Sequence, residues 1–271
     1  MSVKKNLDYI IVLGAHVDGT RMTLALLERA RRALLYLEEN PGTKAVLSGG
    51  KGTGENISEK NPNYCELTAQ YWAWKNRKDD VKGLVHYRRL FSKGKRMLGA
   101  SLEKKYENVL DEKTLVDIME KHDAILPKKR NYYIETLWSH YEHSHKIEGL
   151  EETRKVIAEK YPDYLIKFDE VMKRRSAHMF NMIIAKDKVF SAYSEWLFDV
   201  LGEVEKRVDI SGYSVSEARI FGYISELLMD VWIEQNQIDY VELPVMFMGN
   251  QNMVKKIWMF IARKFGFVKQ P

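Results

Sequence analysis

Apolar positions along the 271-residue chain fall into short runs separated by longer helical patterns. "DYIIVLGA" (8–15) is rich in Ile and Val and closes on glycine, which predicts a buried parallel-type strand. Leu24, Leu27, Ala30, Leu34 and Leu37 recur at helical spacing, and the pattern stops at Asn40-Pro41-Gly42. "KAVLSGG" (44–50) predicts the next strand and completes a βαβ unit, right-handed by default. After a polar loop (51–63), Asn63 is read as capping a helix from Tyr64 to Asn76, with Glu66 three residues on as its capping-box partner. Further strands are expected at 82–87, 123–127, 178–186 and 240–247. Further helices are expected at 112–122, 134–145, 149–160, 163–174, 188–207, 215–236 and 250–266. Strands alternate with helices, so the fold class is α/β.

Composition changes this picture little. Forty-three basic residues stand against 38 acidic ones, a net charge of +5 that leans towards anionic partners. The basic charge is dispersed and no recognition motif appears, so nucleic acid is not an expected partner. A single cysteine, Cys65, excludes an internal disulfide and fits a reducing compartment. The N-terminal apolar run is too short for a signal peptide and lacks a small-residue cleavage site. No stretch approaches the roughly 20 apolar residues that span a bilayer. The expected location is cytoplasmic.

The residues that a core does not need are more informative. "GLVHYRRLF" (83–91) places His86, Arg88 and Arg89 at a strand end, where α/β sheets bind ligands. Guanidinium forks suit phosphate oxygens. "WSHYEHSH" supplies His140, His143 and His145; the first two share a helix face at a spacing that also suits metal ligands, although solvated polar positions are the commoner reason for such a pattern. Arg174, Arg175 and His178 precede a strand that carries Asn181. His178 is read as a general base for a hydroxyl, with a half-buried, hydrogen-bonded histidine as the equal alternative. Tyr71, Trp72 and Trp74 are assigned to the core, Cys65 to a small buried position, and Asp199 and Glu195 to a solvated face. "LSGGKGTG" is glycine-rich but is not the phosphate-loop pattern.

Several segments are familiar as sequence. "NISEKNPNYCELTAQYWAWKN", "GLVHYRRLF", "AILPKKRNYYIETLWSHYEHSH", "RRSAHMFNMIIAKDKVFSAYSEWLFDVL" and "DISGYSVSEARIFGYISELLMDVWI" make residues 54–247 resemble the bacterial capsular and exopolysaccharide glycosyltransferase family called domain of unknown function 4422. The resemblance implies a GT-A-like, Rossmann-related mixed sheet flanked by helices, with a helical C-terminal part. It implies a hexosyltransferase-type enzyme moving a sugar from a nucleotide-sugar donor to a surface-polysaccharide acceptor, in one reading lipid-linked. Under it, His86, Arg88, Arg89, Asn56, His140, His143 and Asn181 become substrate-binding, His178 becomes catalytic, and Glu217 and Arg219 come within reach of the site. Many GT-A enzymes carry an Asp-x-Asp metal motif; this chain has none. The arginines are therefore assigned electrostatic work that a metal does elsewhere; the need for a divalent metal stays open, and no metal ligand is assigned.

Residues 1–59 instead resemble the first βαβ of the YdcF/SanA-like family, domain of unknown function 218. The acidic loop usual in the glycosyltransferase family is missing, and Glu55 stands where an aspartate is usual. Two alternatives follow: an inactive hybrid with a disrupted donor site, or an envelope protein binding nucleotide or cofactor. The expected organisation is one domain, with 1–53 docked as an edge of the same sheet, 54–249 as the core and 250–271 as a basic amphipathic helix. That last helix packs on the protein's own core or lies on the inner face of the membrane.

Overall fold

The computed structural model describes residues 54–248 except Tyr87 and Arg96, and, before them, the backbone of four short strands and the position of Glu38. The helix expected over 23–40, apart from Glu38, and the basic C-terminal helix lie outside the described residues.

β1 (Tyr9–Leu13) and β2 (Lys44–Ser48) pair in parallel, Tyr9 opposite Lys44 and Leu13 opposite Ser48, as a βαβ unit requires. A short helix α1 (Asn61–Tyr64) then stops at Cys65, and α2 runs over Leu67–Asn76. Next come β3 (Val81–Leu84), β4 (Arg89–Phe91), α3 (Glu112–Met119) and β5 (Ala124–Pro127). Three helices follow: α4 (Leu137–Ser144), α5 (Glu148–Lys160) and α6 (Pro162–Met172). β6 (Ile183–Lys186), α7 (Asp187–Arg207), α8 (Ile220–Gln235), β7 (Tyr240–Leu243) and β8 (Val245–Phe247) complete the order.

Local chemistry accounts for most of these boundaries. Asp111 caps α3 by accepting from the Thr114 amide at 2.9 Å. Thr136 and Ser139 form a reciprocal capping box on α4. Pro162 opens α6, where its missing N–H is not needed. Pro244 divides the strand expected over 240–247 into β7 and β8.

Four strands form one mixed sheet in the order β7-β5-β6-β3. β6 runs antiparallel to β3 and β5, and β7 runs parallel to β5. β3, β5 and β7 therefore point the same way, and the segments that follow β3 and β5 emerge at the same edge as the segment that precedes β6. β4 pairs with β8 in a separate antiparallel ribbon. Among the described residues β1 and β2 bond to each other, and the four-stranded sheet is bounded by β3 and β7.

One core joins α2 and helices α4 to α8 to the sheet, with Phe168, Phe190, Tyr193 and Phe221 fully buried. Each such side chain contributes about 1.5–3 kcal/mol by leaving water. α8 is buried on nearly every side, which explains why its sequence is apolar all round. Tyr71 and Trp74 are half-buried and pack on Phe198, Trp74 stacked on it at 5.9 Å between ring centres. Among the described residues, no helix is long and apolar enough to cross a membrane.

Candidate functional site

A cavity of about 300 Å³ opens at the edge where β3 and β5 end. Its wall carries three guanidinium groups, Arg89, Arg130 and Arg219, three histidines, His86, His140 and His145, and two carboxylates, Glu66 and Glu226. This is the carboxyl end of parallel strands, the usual ligand position in open α/β sheets.

The irregular segment ahead of β6 builds one side. The expected strand 178–186 survives only as β6, because Phe180 and Asn181 adopt left-handed backbone, with φ of 79° and 51°. Such a conformation is strained for non-glycine residues and persists where the surroundings enforce it. Here His86 Nε2 donates to the Phe180 carbonyl at 2.6 Å. Asn181 Nδ2 donates to Glu66 Oε1 at 2.9 Å and to the Gly222 carbonyl at 3.1 Å, while its Oδ1 accepts from Ser225 at 2.9 Å. The Phe180 ring lies 4.4 Å from the Arg89 guanidinium.

A second left-handed site, Cys65 at φ 51°, breaks the helix expected over 64–76. Glu66 therefore turns inward and makes no cap, which corrects its reading as a capping-box residue. Its carboxylate lies 3.4 Å from His86 Nε2. Burial works to raise the Glu66 carboxyl, but the hydrogen bonds and charge of His86, with Asn181, outweigh burial and hold it below the usual carboxylate range. Burial pushes the Cys65 thiol up, against the Arg219 guanidinium whose Nε donates to its sulfur at 3.1 Å.

Glu226, on α8, goes the other way. Burial raises its carboxyl to about 7, helped by the negative charge of Glu66 and opposed by a backbone hydrogen bond from Phe180 and the charges of His86 and Arg89. Two carboxylates with divergent proton affinities thus face one cavity, the pattern of a split between acid–base and electrostatic roles. His145 stacks on Tyr223 at 4.0 Å, and burial lowers its pKa to about 4, so it stands neutral in the wall.

Of the residues singled out from the sequence, His86, Arg89 and His140 line the cavity and Asn181 holds it from behind. Arg219 also lines it, whereas Glu217 is half-buried outside the lining, where it accepts from the Ser214 amide and pairs with Lys146. Arg88 is exposed, 5.9 Å from the Phe247 ring, and outside the lining. Asn56 shapes its own turn, donating to the Gly54 carbonyl and accepting from the Ser58 amide. His140 and His143 both turn Nδ1 to Glu135, at 2.7 and 2.9 Å, and His143 is exposed. Their hydrogen bonds hold the Glu135 carboxyl below its usual range. Among the described residues, no group of three or more His, Cys, Asp or Glu side chains is placed to hold a metal ion. His178 lies outside the lining with its ring fully buried, Nδ1 against Asp230 and Nε2 2.9 Å from Glu242. Arg130, Tyr132 and Glu226 join the site without having stood out in the sequence. Glu226 carries a visible signal, a lone acid in the apolar run "FGYISELLM". Arg130 has no such mark among "PKKRNYY".

Fold and site together define an α/β protein with a cavity at a sheet edge lined by arginines, histidines and two carboxylates. The family model described as "Domain of unknown function (DUF4422)" matches residues 42–237, well over half of the chain, and the chain belongs to that family. The match reaches back to include β2, so it starts earlier than Gly54. Among solved structures, the chain is similar to the apo form of the bifunctional glycosyltransferase WbbM, with a TM-score of 0.68 and 29% identity. The likeness covers 77% of this chain and 40% of that one, so the chain spans well under half of WbbM. No curated protein sequence matches the chain.

Proposed function

We propose that the chain is a glycosyltransferase of surface-polysaccharide assembly. In this reading a nucleotide-sugar donor places its diphosphate against Arg89, Arg130 and Arg219. The acceptor is a glycan, lipid-linked, met at the inner face of the cell membrane, and the transferred unit is a hexose. Three guanidinium groups in one cavity supply bidentate, charge-assisted donors for a leaving diphosphate. Glu226 takes the proton from the attacking hydroxyl, since a carboxyl held near 7 serves as a base at neutral pH. Glu66, kept ionised and tied to His86 and Asn181, fixes the opposite wall. The observation that carries the reading is the pairing of the arginine-lined cavity with Glu226. Family membership and the likeness to WbbM support it.

The test is a screen of nucleotide sugars for transfer or slow hydrolysis by the full-length protein. Turnover of one donor class is expected, falling by about 10²–10⁴-fold in Glu226→Gln with diphosphate binding retained. Absence of both binding and turnover across the panel would overturn the reading.

A further inference from the structure

The buried cluster behind the cavity has a proton problem. His178 is 1% exposed, and each ring nitrogen meets a carboxylate, Asp230 from α8 at Nδ1 and Glu242 from β7 at Nε2. The His178 amide also donates to Asp230 Oδ2 at 3.2 Å. A neutral imidazole has one N–H, and two ionised carboxylates can only accept. Both ring contacts are hydrogen bonds only when the three side chains hold one proton beyond the neutral ring and two carboxylates. Without it, one buried contact sets a lone pair against a negative oxygen, in a site where such a mismatch is costly.

The remaining neighbours do not supply that proton's charge directly. Tyr240 presents its ring edge-on at 5.3 Å, and Tyr193, whose hydroxyl has no hydrogen-bond partner among the described residues, is pushed up by burial and by the charge of Asp230. Arg174 faces Asp230 at longer range but is engaged by Glu234, which Lys129 also approaches.

The location gives the cluster a purpose. His178 is two residues before the left-handed Phe180–Asn181 pair, and Asp230 is one helical turn after Glu226. We propose that His178, Asp230 and Glu242 form a proton-holding clamp that positions the Phe180–Asn181 wall, and through it Glu66, His86 and the Phe180 amide beside Glu226. His178 then acts as a positioning residue. Only the consequence for anion binding rests on the function proposed above; the clamp itself does not.

Hydrogen exchange of the peptide around 178–183 tests the clamp in full-length protein. Wild type, Glu242→Gln and Glu242→Ala are compared at one pH, so that intrinsic exchange cancels. The side-chain amide introduced by Glu242→Gln can donate to the ring, so that variant keeps the bonds without the extra proton. Protection is expected to fall by about tenfold in Glu242→Ala, as for loss of a charged hydrogen bond, while Glu242→Gln keeps most of it. His178→Gln should lose protection throughout. Calorimetric titration with pyrophosphate should rank wild type, Glu242→Gln and Glu242→Ala in the same order. Identical protection in wild type and Glu242→Ala would overturn the clamp. Pyrophosphate failing to bind while exchange behaves as stated would instead refute the cavity's proposed function and leave the clamp standing.

Discussion

Glu226 and Glu66 illustrate how environment divides two equal side chains. Both are half-buried in one wall, yet Glu66 has His86 and Asn181 as partners and Glu226 has its charge opposed by Glu66. The raised Glu226 carboxyl has a consequence for stability. Below about pH 4.5 it is neutral folded or unfolded, and burial costs nothing through ionisation. As pH rises through about 7 it must ionise inside the wall, so native stability falls, by about 3 kcal/mol in all. Urea denaturation of Glu226→Gln should therefore show a variant more stable than wild type at pH 8, with the difference gone near pH 4.5. A variant less stable at both pH values would contradict the raised carboxyl. His86 and Arg89 are legible in the sequence because polar residues at a strand end have no packing reason to be there. Glu66 reads as a cap because its spacing from Asn63 fits a capping box, and no local pattern reveals that Cys65 turns left-handed between them. Glu226 escapes a sequence reading because a lone acid in an apolar helix is easily taken for a tolerated exception.

Elements follow the apolar pattern where a cap or a proline marks the end, as in α3, α4 and α6. The segment 178–182 does not. Its alternation of apolar residues suits a strand, but the hydrogen bonds of Phe180 and Asn181 go to His86, Glu66, Gly222 and Ser225, all distant in sequence. Tertiary partners therefore override the local preference, and only the folded chain reveals them. Asn181 joins that segment to α8 and to Glu66, so Asn181→Ala removes three bonds in a buried place. A loss of about 2–4 kcal/mol is expected in chemical denaturation. Diphosphate binding should also weaken, because Glu66 loses its tether. Unchanged stability would mean that the segment is held by something other than these bonds.

The direction of the strands explains why residues from so many segments meet. β3 and β5 deliver His86, Arg89 and Arg130 to one edge, and the entry to β6 brings Phe180 there. Alternation of strands and helices makes the class legible, but not the sheet order, which depends on pairings between segments far apart. We propose that the chain is one unit, with the β1–β2 pair docked on the core, since "YIIVL" and "AVL" need cover on both faces. Fragment 54–271 should then melt at least several degrees below the full chain or lose its cooperative transition; an unchanged transition would mark two independent units. The basic tail from residue 250 is proposed as a membrane-surface helix, and liposome sedimentation of the full chain against a version ending at Gly249 would read its contribution. The central claim, that the three guanidinium groups receive a diphosphate, is tested most directly by calorimetric titration with a panel of nucleoside diphosphates. Wild type is expected to bind at least one of them, and Arg89→Ala and Arg219→Ala each to weaken that binding by about tenfold or more, with Arg88→Ala losing less. Equal affinity in wild type, Arg89→Ala and Arg219→Ala would contradict it.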